Sequence, residues 1–318
     1  MSESRTLTQA VDTYLEERRR LGFSLQSKLL QRFALYADEK KHTGPLTAEL
    51  QLNWAQSPGV RTSALTARRR IEGLRPFVRH YCQYEPESIV VDPSLVGPRR
   101  VRPTPHIYTS DELSDLVTAA QALEGSGGLR GAAYATLFGL IAATGLRLSE
   151  ALQLRDVDVD VDARNLVVRL TKFRKSRRLP LQESTSERLL AWRAQRDRRW
   201  RRNPNNSFLV GSSGTVMKGS TVQTVFEGLR NSLDWKSRGS LSNPRIQDLR
   251  HTFAVQRVQL WHEEDAPLEQ AMFWLCTYLG HAKISDTYWY LTGVPELMAI
   301  AGQRFEQFVV EPVTVGGA

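Results

Sequence analysis

Asn243-Pro244-Arg245-Ile246-Gln247-Asp248-Leu249-Arg250-His251-Thr252-Phe253-Ala254 holds the densest information in this chain of 318 residues. Asn-Pro is a helix-start signal. Gln247 and Arg250 then stand three apart, on one helix face, while Leu249 and Phe253 stand four apart and make a core stripe. A polar pair is thereby held over an apolar face. Upstream, Thr144-Gly145-Leu146-Arg147-Leu148-Ser149-Glu150 closes the longest apolar run of the chain. Gly145 permits a tight turn, and Arg147 follows near a helix N-terminus, where free amides and the dipole favour an anion. Between these stretches, Leu166–Leu170 and Arg178–Leu181 read as short strands. They flank the basic turn Thr171-Lys172-Phe173-Arg174-Lys175-Ser176, whose Lys172 sits at a hairpin tip. Downstream, Leu279-Gly280-His281 ends a helix. Tyr290 lies nine residues after His281, in a short helix that also carries Tyr288, about 200° around the axis.

The order and spacing of these residues closely resemble the tyrosine recombinase (phage integrase) family, from about Ile107 to Phe308. The matching pieces are Gly-Leu-Arg-x-x-Glu, the hairpin lysine, Leu-Arg-His-Thr-Phe-Ala, Leu-Gly-His and the final tyrosine. The resemblance implies a site-specific DNA recombinase that cleaves and rejoins DNA through a 3′-phosphotyrosyl ester. Arg147 and Arg250 would hold the scissile phosphate, His281 would donate to it, Lys172 would protonate the leaving 5′ oxygen, and Tyr290 would attack phosphorus. Glu150 would buttress position 247. The family usually has His there, and this chain has Gln247, which donates a hydrogen bond but exchanges no proton at neutral pH. The alternative is therefore a DNA-binding protein of the same fold with impaired cleavage, acting with a partner recombinase. The resemblance implies no cofactor and no metal, because arginines carry the phosphate and the ester conserves the bond energy. It implies double-stranded DNA as partner, a tetramer on two DNA sites or a mixed assembly with related recombinases, and integration or excision of a mobile element.

The implied fold class is mainly α with a small β-sheet (α+β), in two domains forming a C-shaped DNA clamp. Residues 1–84 are expected to be a helical core-binding (SAM-like) domain, 85–106 a Pro/Arg-rich linker and 107–318 the catalytic domain. Helical spacing of Leu7, Val11, Tyr14 and Leu15, then of Leu29, Leu30, Phe33 and Leu35, predicts two helices. A third follows Thr47 and a fourth spans about Thr62 to Gln83. Alternation of Val157, Val159 and Val161 with Asp156, Asp158, Asp160 and Asp162 predicts a strand with a solvated acidic face. Capping boxes are predicted at Thr109–Glu112 and Ser184–Glu187. Glu296 to Val309 reads as a last amphipathic helix.

Charge agrees with a polyanion partner. Lys and Arg number 43 against 34 Asp and Glu, a net +9. Residues 1–106 hold 17 basic against 11 acidic residues, most of the excess. Arg68 and Arg69 on the fourth helix, and Arg174, Lys175 and Arg177 around the hairpin, are the expected DNA contacts. The arginine-rich segment Arg193 to Arg202 fits the same use. His262-Glu263-Glu264-Asp265 lacks metal-ligand spacing and reads as a solvated helix end. Two distant cysteines, Cys82 and Cys276, exclude a disulfide scaffold. A polar N-terminus and no long apolar span predict a cytoplasmic, nucleoid-associated protein without a membrane segment.

Overall fold

The computed structural model describes residues 6–23, 27–57, 63–99, 101–124, 129–169, 176–200, 206–264 and 266–293. The chain divides into two compact units, Met1–Arg102 and Pro103–Ala318.

The first unit packs four helices: α1 (Leu7–Arg20), α2 (Ser27–Glu39), α3 (Ala48–Gln56) and α4 (Ala64–Tyr81). Their starts follow from local chemistry. Thr6, Thr47 and Ser63 each accept a backbone N–H of the first turn. Val11, Phe33, Trp54, Ile71 and Phe77 meet in one core. On α2 the buried face is Leu30, Phe33, Ala34 and Ala37, while Leu35 is exposed. Much of the stretch expected as a linker belongs to this unit. Val91 and Val96 are buried in its core, and a 3₁₀ turn over Pro93–Val96 packs on α4. The prolines stiffen the segment but leave its valines free to bury. Beyond Arg102, His106 is buried in the second unit, where it meets Glu112 and Arg238.

The second unit is helical around a small sheet. It contains α5 (Ser110–Gln121), α6 (Leu129–Thr144), α7 (Leu148–Leu152), β1 (Val159–Asp160), β2 (Asn165–Val168) and β3 (Arg177–Pro180). Then come α8 (Glu183–Asp197), α9 (Gly219–Ser232), α10 (Ile246–Glu263), α11 (Leu268–Leu279) and α12 (Ser285–Gly293). The strands form an antiparallel sheet in the order β1-β2-β3, with Leu166 opposite Val159 and Leu179. The Thr109–Glu112 capping box is present. Helix α6 is apolar nearly all round because α5, α8 and α10 all pack on it.

Two local expectations fail for identifiable reasons. The valine–aspartate alternation forms a 3₁₀ turn over Asp156–Asp158 and only two residues of strand. Asp158, expected on a solvated face, is 2% exposed. It accepts the backbone N–H of Arg155 and pairs with Arg155 and Arg169, which closes a turn where a strand was expected. Helix α8 begins at Glu183 after Gln182, without a side-chain cap, so no box forms at Ser184. Among the described residues no helix is long and apolar enough to cross a membrane.

Candidate active site

Gly145 ends α6 with φ +63°, a conformation that a side chain resists, and a Cβ there would lie 2.5 Å from the Phe253 ring. The turn delivers Arg147 to the N-cap of α7. Glu150, on the first turn of α7, accepts the Arg147 backbone N–H at 3.0 Å and its guanidinium at 2.7 Å. Arg177, at the start of β3, donates to both oxygens of the same carboxylate at 3.0 and 3.3 Å. Arg250, on α10, lies 3.8 Å from it. Three guanidiniums thus surround one carboxylate that is 7% exposed.

Arg250 is 3% exposed and donates to the carbonyls of Gly145 and Leu279, both at 2.7 Å. Burial, reinforced by the neighbouring Arg147 charge, lowers its pKa to about 10, which leaves it cationic at neutral pH. Burial pushes Glu150 up, but hydrogen bonds from Arg177 and the Arg147 amide, with the charges of both arginines, prevail and bring it to about 2. The cluster therefore holds one negative and three positive charges. The side chain of Arg147 is 37% exposed, so the surplus faces an accessible surface. That arrangement attracts an anion, and planar guanidiniums suit a phosphate.

The far wall is built by α11 and α12. Gly280, at φ +66°, ends α11, and the His281 N–H donates to the Cys276 carbonyl, a Schellman turn that fixes where the imidazole begins. His281 Nδ1 lies 2.7 Å from the hydroxyl of buried Thr287. Its ring stacks with the Tyr290 ring at a centroid distance of 6.3 Å. Tyr290 is 1% exposed, and its hydroxyl lies 3.2 Å from His251 Nδ1. Tyr288 is exposed.

The structure brings Arg147, Arg250, His281 and Tyr290 to the facing ends of α6–α7, α10 and α11–α12. Gln247 is exposed on the first turn of α10. Among the described residues Glu150 accepts hydrogen bonds from Arg147 and Arg177, with Arg250 3.8 Å away. Lys172, Arg174 and Lys175 lie outside the described residues, as does the segment Glu296 to Val309.

Several arginines expected at DNA serve the fold. Arg177 is turned inward onto Glu150 and the Tyr278 carbonyl. Arg68 is tied to Glu72 and to the Gly97 carbonyl, while Arg69 is exposed. Arg196 is buried against Asp156, Asp197 and the Phe208 carbonyl, and Arg193 donates to the Val159 carbonyl. Sequence reasoning missed Arg177 as a support of the site. The signal was its place two residues before the apolar Leu179, where alternation turns it to the same, inward face of β3 while Arg178 points out. Among the described residues no three His, Cys, Asp or Glu side chains gather as metal ligands.

Two arginines, an imidazole and a tyrosine on a mainly helical domain with a small antiparallel sheet fit the tyrosine site-specific recombinase class. Residues 107–294 match the phage integrase family, and the chain belongs to it. It is 34% identical over 308 residues to the y4rB protein of Sinorhizobium fredii, which carries an integrase/recombinase name; the match covers 95% of this chain and 98% of that one. It is 29% identical over 228 residues to the tyrosine recombinase XerD of Caulobacter vibrioides, covering 71% of this chain and 70% of XerD. Its fold is similar to that of the Tn1549 transposon integrase in complex with transposon right end DNA. The TM-score is 0.66 and the identity 16%, covering 96% of this chain and all of that one.

Proposed function

We propose that this recombinase cuts and rejoins double-stranded DNA at specific sites through a 3′-phosphotyrosyl intermediate formed on Tyr290. The observation that carries the reading is the surplus of guanidinium charge around Glu150, opposite the wall that holds His281 and Tyr290. Arg147 and Arg250 hold the non-bridging oxygens of the scissile phosphate and stabilise the charge that grows there. His281 adds a hydrogen bond. The Tyr290 oxygen bonds to phosphorus as the bond to the 5′ oxygen breaks, and Lys172 gives that oxygen its proton. Attack by a different 5′ hydroxyl reverses the chemistry and joins a new strand. Arg69, with Arg174 and Lys175, supplies backbone contacts. The working assembly is a tetramer on two DNA sites, or a mixed assembly with related recombinases. Its substrates are the ends of a mobile element, and it works at the nucleoid in the cytoplasm.

Covalent trapping tests this. The full chain is mixed with nicked duplexes tiled across the DNA flanking its own gene, so that a cleaved strand is lost and the protein–DNA ester accumulates. A denaturant-resistant band is expected with the wild type and with Tyr288→Phe, and none with Tyr290→Phe. A band that survives Tyr290→Phe, or DNA bound on native gels with no band at all, overturns the reading.

A further inference from the structure

The tyrosine must lose its proton as it attacks, and in this chain Gln247 cannot take it. Among the described residues a proton-exchanging group within hydrogen-bond distance of the phenol is His251, one residue past the clamping Arg250: its Nδ1 lies 3.2 Å from the Tyr290 oxygen. The two rings meet edge to face at 5.5 Å, and Trp289 packs on both, at 5.7 Å from His251 and 5.5 Å from Tyr290. Both side chains are buried, so water competes poorly for the bond. Arg250, the residue before His251 on α10, reaches the Leu279 carbonyl at the end of α11, two residues before the His281 whose ring stacks with Tyr290.

We propose that His251 is the catalytic base of this recombinase: it accepts the Tyr290 proton at Nδ1 as the phenol oxygen bonds to phosphorus. The inference rests on the cleavage reading above. The step balances within the site. The proton passes from Tyr290 Oη to His251, the oxygen–phosphorus bond forms, the bond from phosphorus to the 5′ oxygen breaks, and Lys172 protonates the departing oxygen. When the strand is rejoined, His251 returns the proton to the tyrosine. The acceptor nitrogen requires the neutral imidazole with its hydrogen on Nε2.

Other titratable or charged groups belong to the elements around the pair. Arg250 is on α10 itself. Tyr278 and Cys276 are in the last turn of α11, and His281 follows it. Asp286 and Tyr288 are on α12. Arg130 and Tyr134 are in the first two turns of α6. Of these His281 is the second imidazole, and its Nδ1 is at Thr287.

The test is single-turnover trapping on the nicked duplexes between pH 5 and 9, with wild type, His251→Asn, His251→Gln and Tyr290→Phe, and DNA affinity measured beside it. Wild-type cleavage is expected to rise with pH on the acid side, as an imidazole base deprotonates. His251→Asn and His251→Gln are expected to slow cleavage about 10²–10⁴-fold, as loss of one acid–base group does, and to lose that limb with DNA affinity unchanged. Either variant cleaving at the wild-type rate, or slowed but keeping the wild-type limb, overturns the proposal. If both variants unfold, the wild type alone decides, on a duplex whose 5′ bridging oxygen is replaced by sulfur. Sulfur leaves without the lysine proton, so an acid limb that persists there supports the base, and a flat profile overturns it. The controls separate the two readings. A Tyr290-dependent band with indifferent His251 variants sinks only the base, whereas no band with wild type sinks the cleavage reading and the base together.

Discussion

In Arg147–Glu150 and in Arg155–Asp158, the carboxylate three residues after an arginine accepts that arginine's backbone N–H and pairs with its guanidinium. Arg245–Asp248 repeats the arrangement at the start of α10. The pairs diverge in what else reaches the carboxylate. Among the described residues Asp158 gains only Arg169, from just past β2, eleven residues on. Glu150 gains Arg177 and Arg250, from β3 and α10. One local device is therefore put to two uses. At Asp158 it ties a turn to a strand. At Glu150 it collects cations from distant elements and leaves a surplus beside a partly exposed Arg147.

Removing Glu150 should break the comparison most severely. Glu150→Ala leaves three guanidiniums to repel one another in a buried site, and taking one member from such a set costs about 3–5 kcal/mol. Urea denaturation should show that loss, and tyrosyl–DNA trapping should fall with it. The same residue gives a pH signature. Its pKa is about 2 in the folded chain against an ordinary 4.5, so its stabilisation is complete above pH 4.5 and disappears as pH falls toward 2. The amount is about 2–3 kcal/mol, allowing for some screening. Wild type should lose this increment over that range, and Glu150→Gln should not.

Asp158→Asn sharpens the contrast. It keeps the shape and one acceptor oxygen but removes the charge that holds Arg155 and Arg169. Burial pushes Asp158 up, yet the hydrogen bonds of Arg169 and Arg155 bring it below the ordinary aspartate range. The expected loss is about 1–3 kcal/mol of stability, with trapping per folded molecule reduced far less than in Glu150→Ala. Equal defects in trapping would mean that the two clusters are not separable in function.

The difference between the clusters also marks what could be read in the chain beforehand. Thr109–Glu112 and the helix after Thr47 were legible because caps are local, satisfied within four residues. The tyrosine and arginine spacings were legible as a family pattern. The burial of Asp158 was not, because alternation along 156–162 has the period of a strand, and the competing side-chain bond to Arg155 depends on a neighbour three residues back. The fate of Arg177, Arg193 and Arg196 was hidden for a related reason. A charge count treats every arginine as free, whereas these three are claimed by carbonyls and carboxylates that only tertiary folding brings near. The His251–Tyr290 contact joins residues 39 positions apart and has no local signature.

The smallest expected effect carries the comparison into the first unit, where two adjacent arginines on α4 divide in the same way. Arg68 is committed to Glu72 and the Gly97 carbonyl, as Arg155 is committed to Asp158. Arg69 is exposed and available to a phosphate. Arg68→Ala should cost about 1 kcal/mol in thermal unfolding, the usual worth of such bonds, and leave the salt dependence of DNA binding unchanged. Arg69→Ala should leave stability unchanged and reduce the slope of log affinity against log salt by about one, the signature of one lost phosphate contact. The two readouts are independent, so a reversed outcome, with Arg68 changing the slope and Arg69 the stability, would show that partners in the free protein do not forecast which arginines DNA recruits.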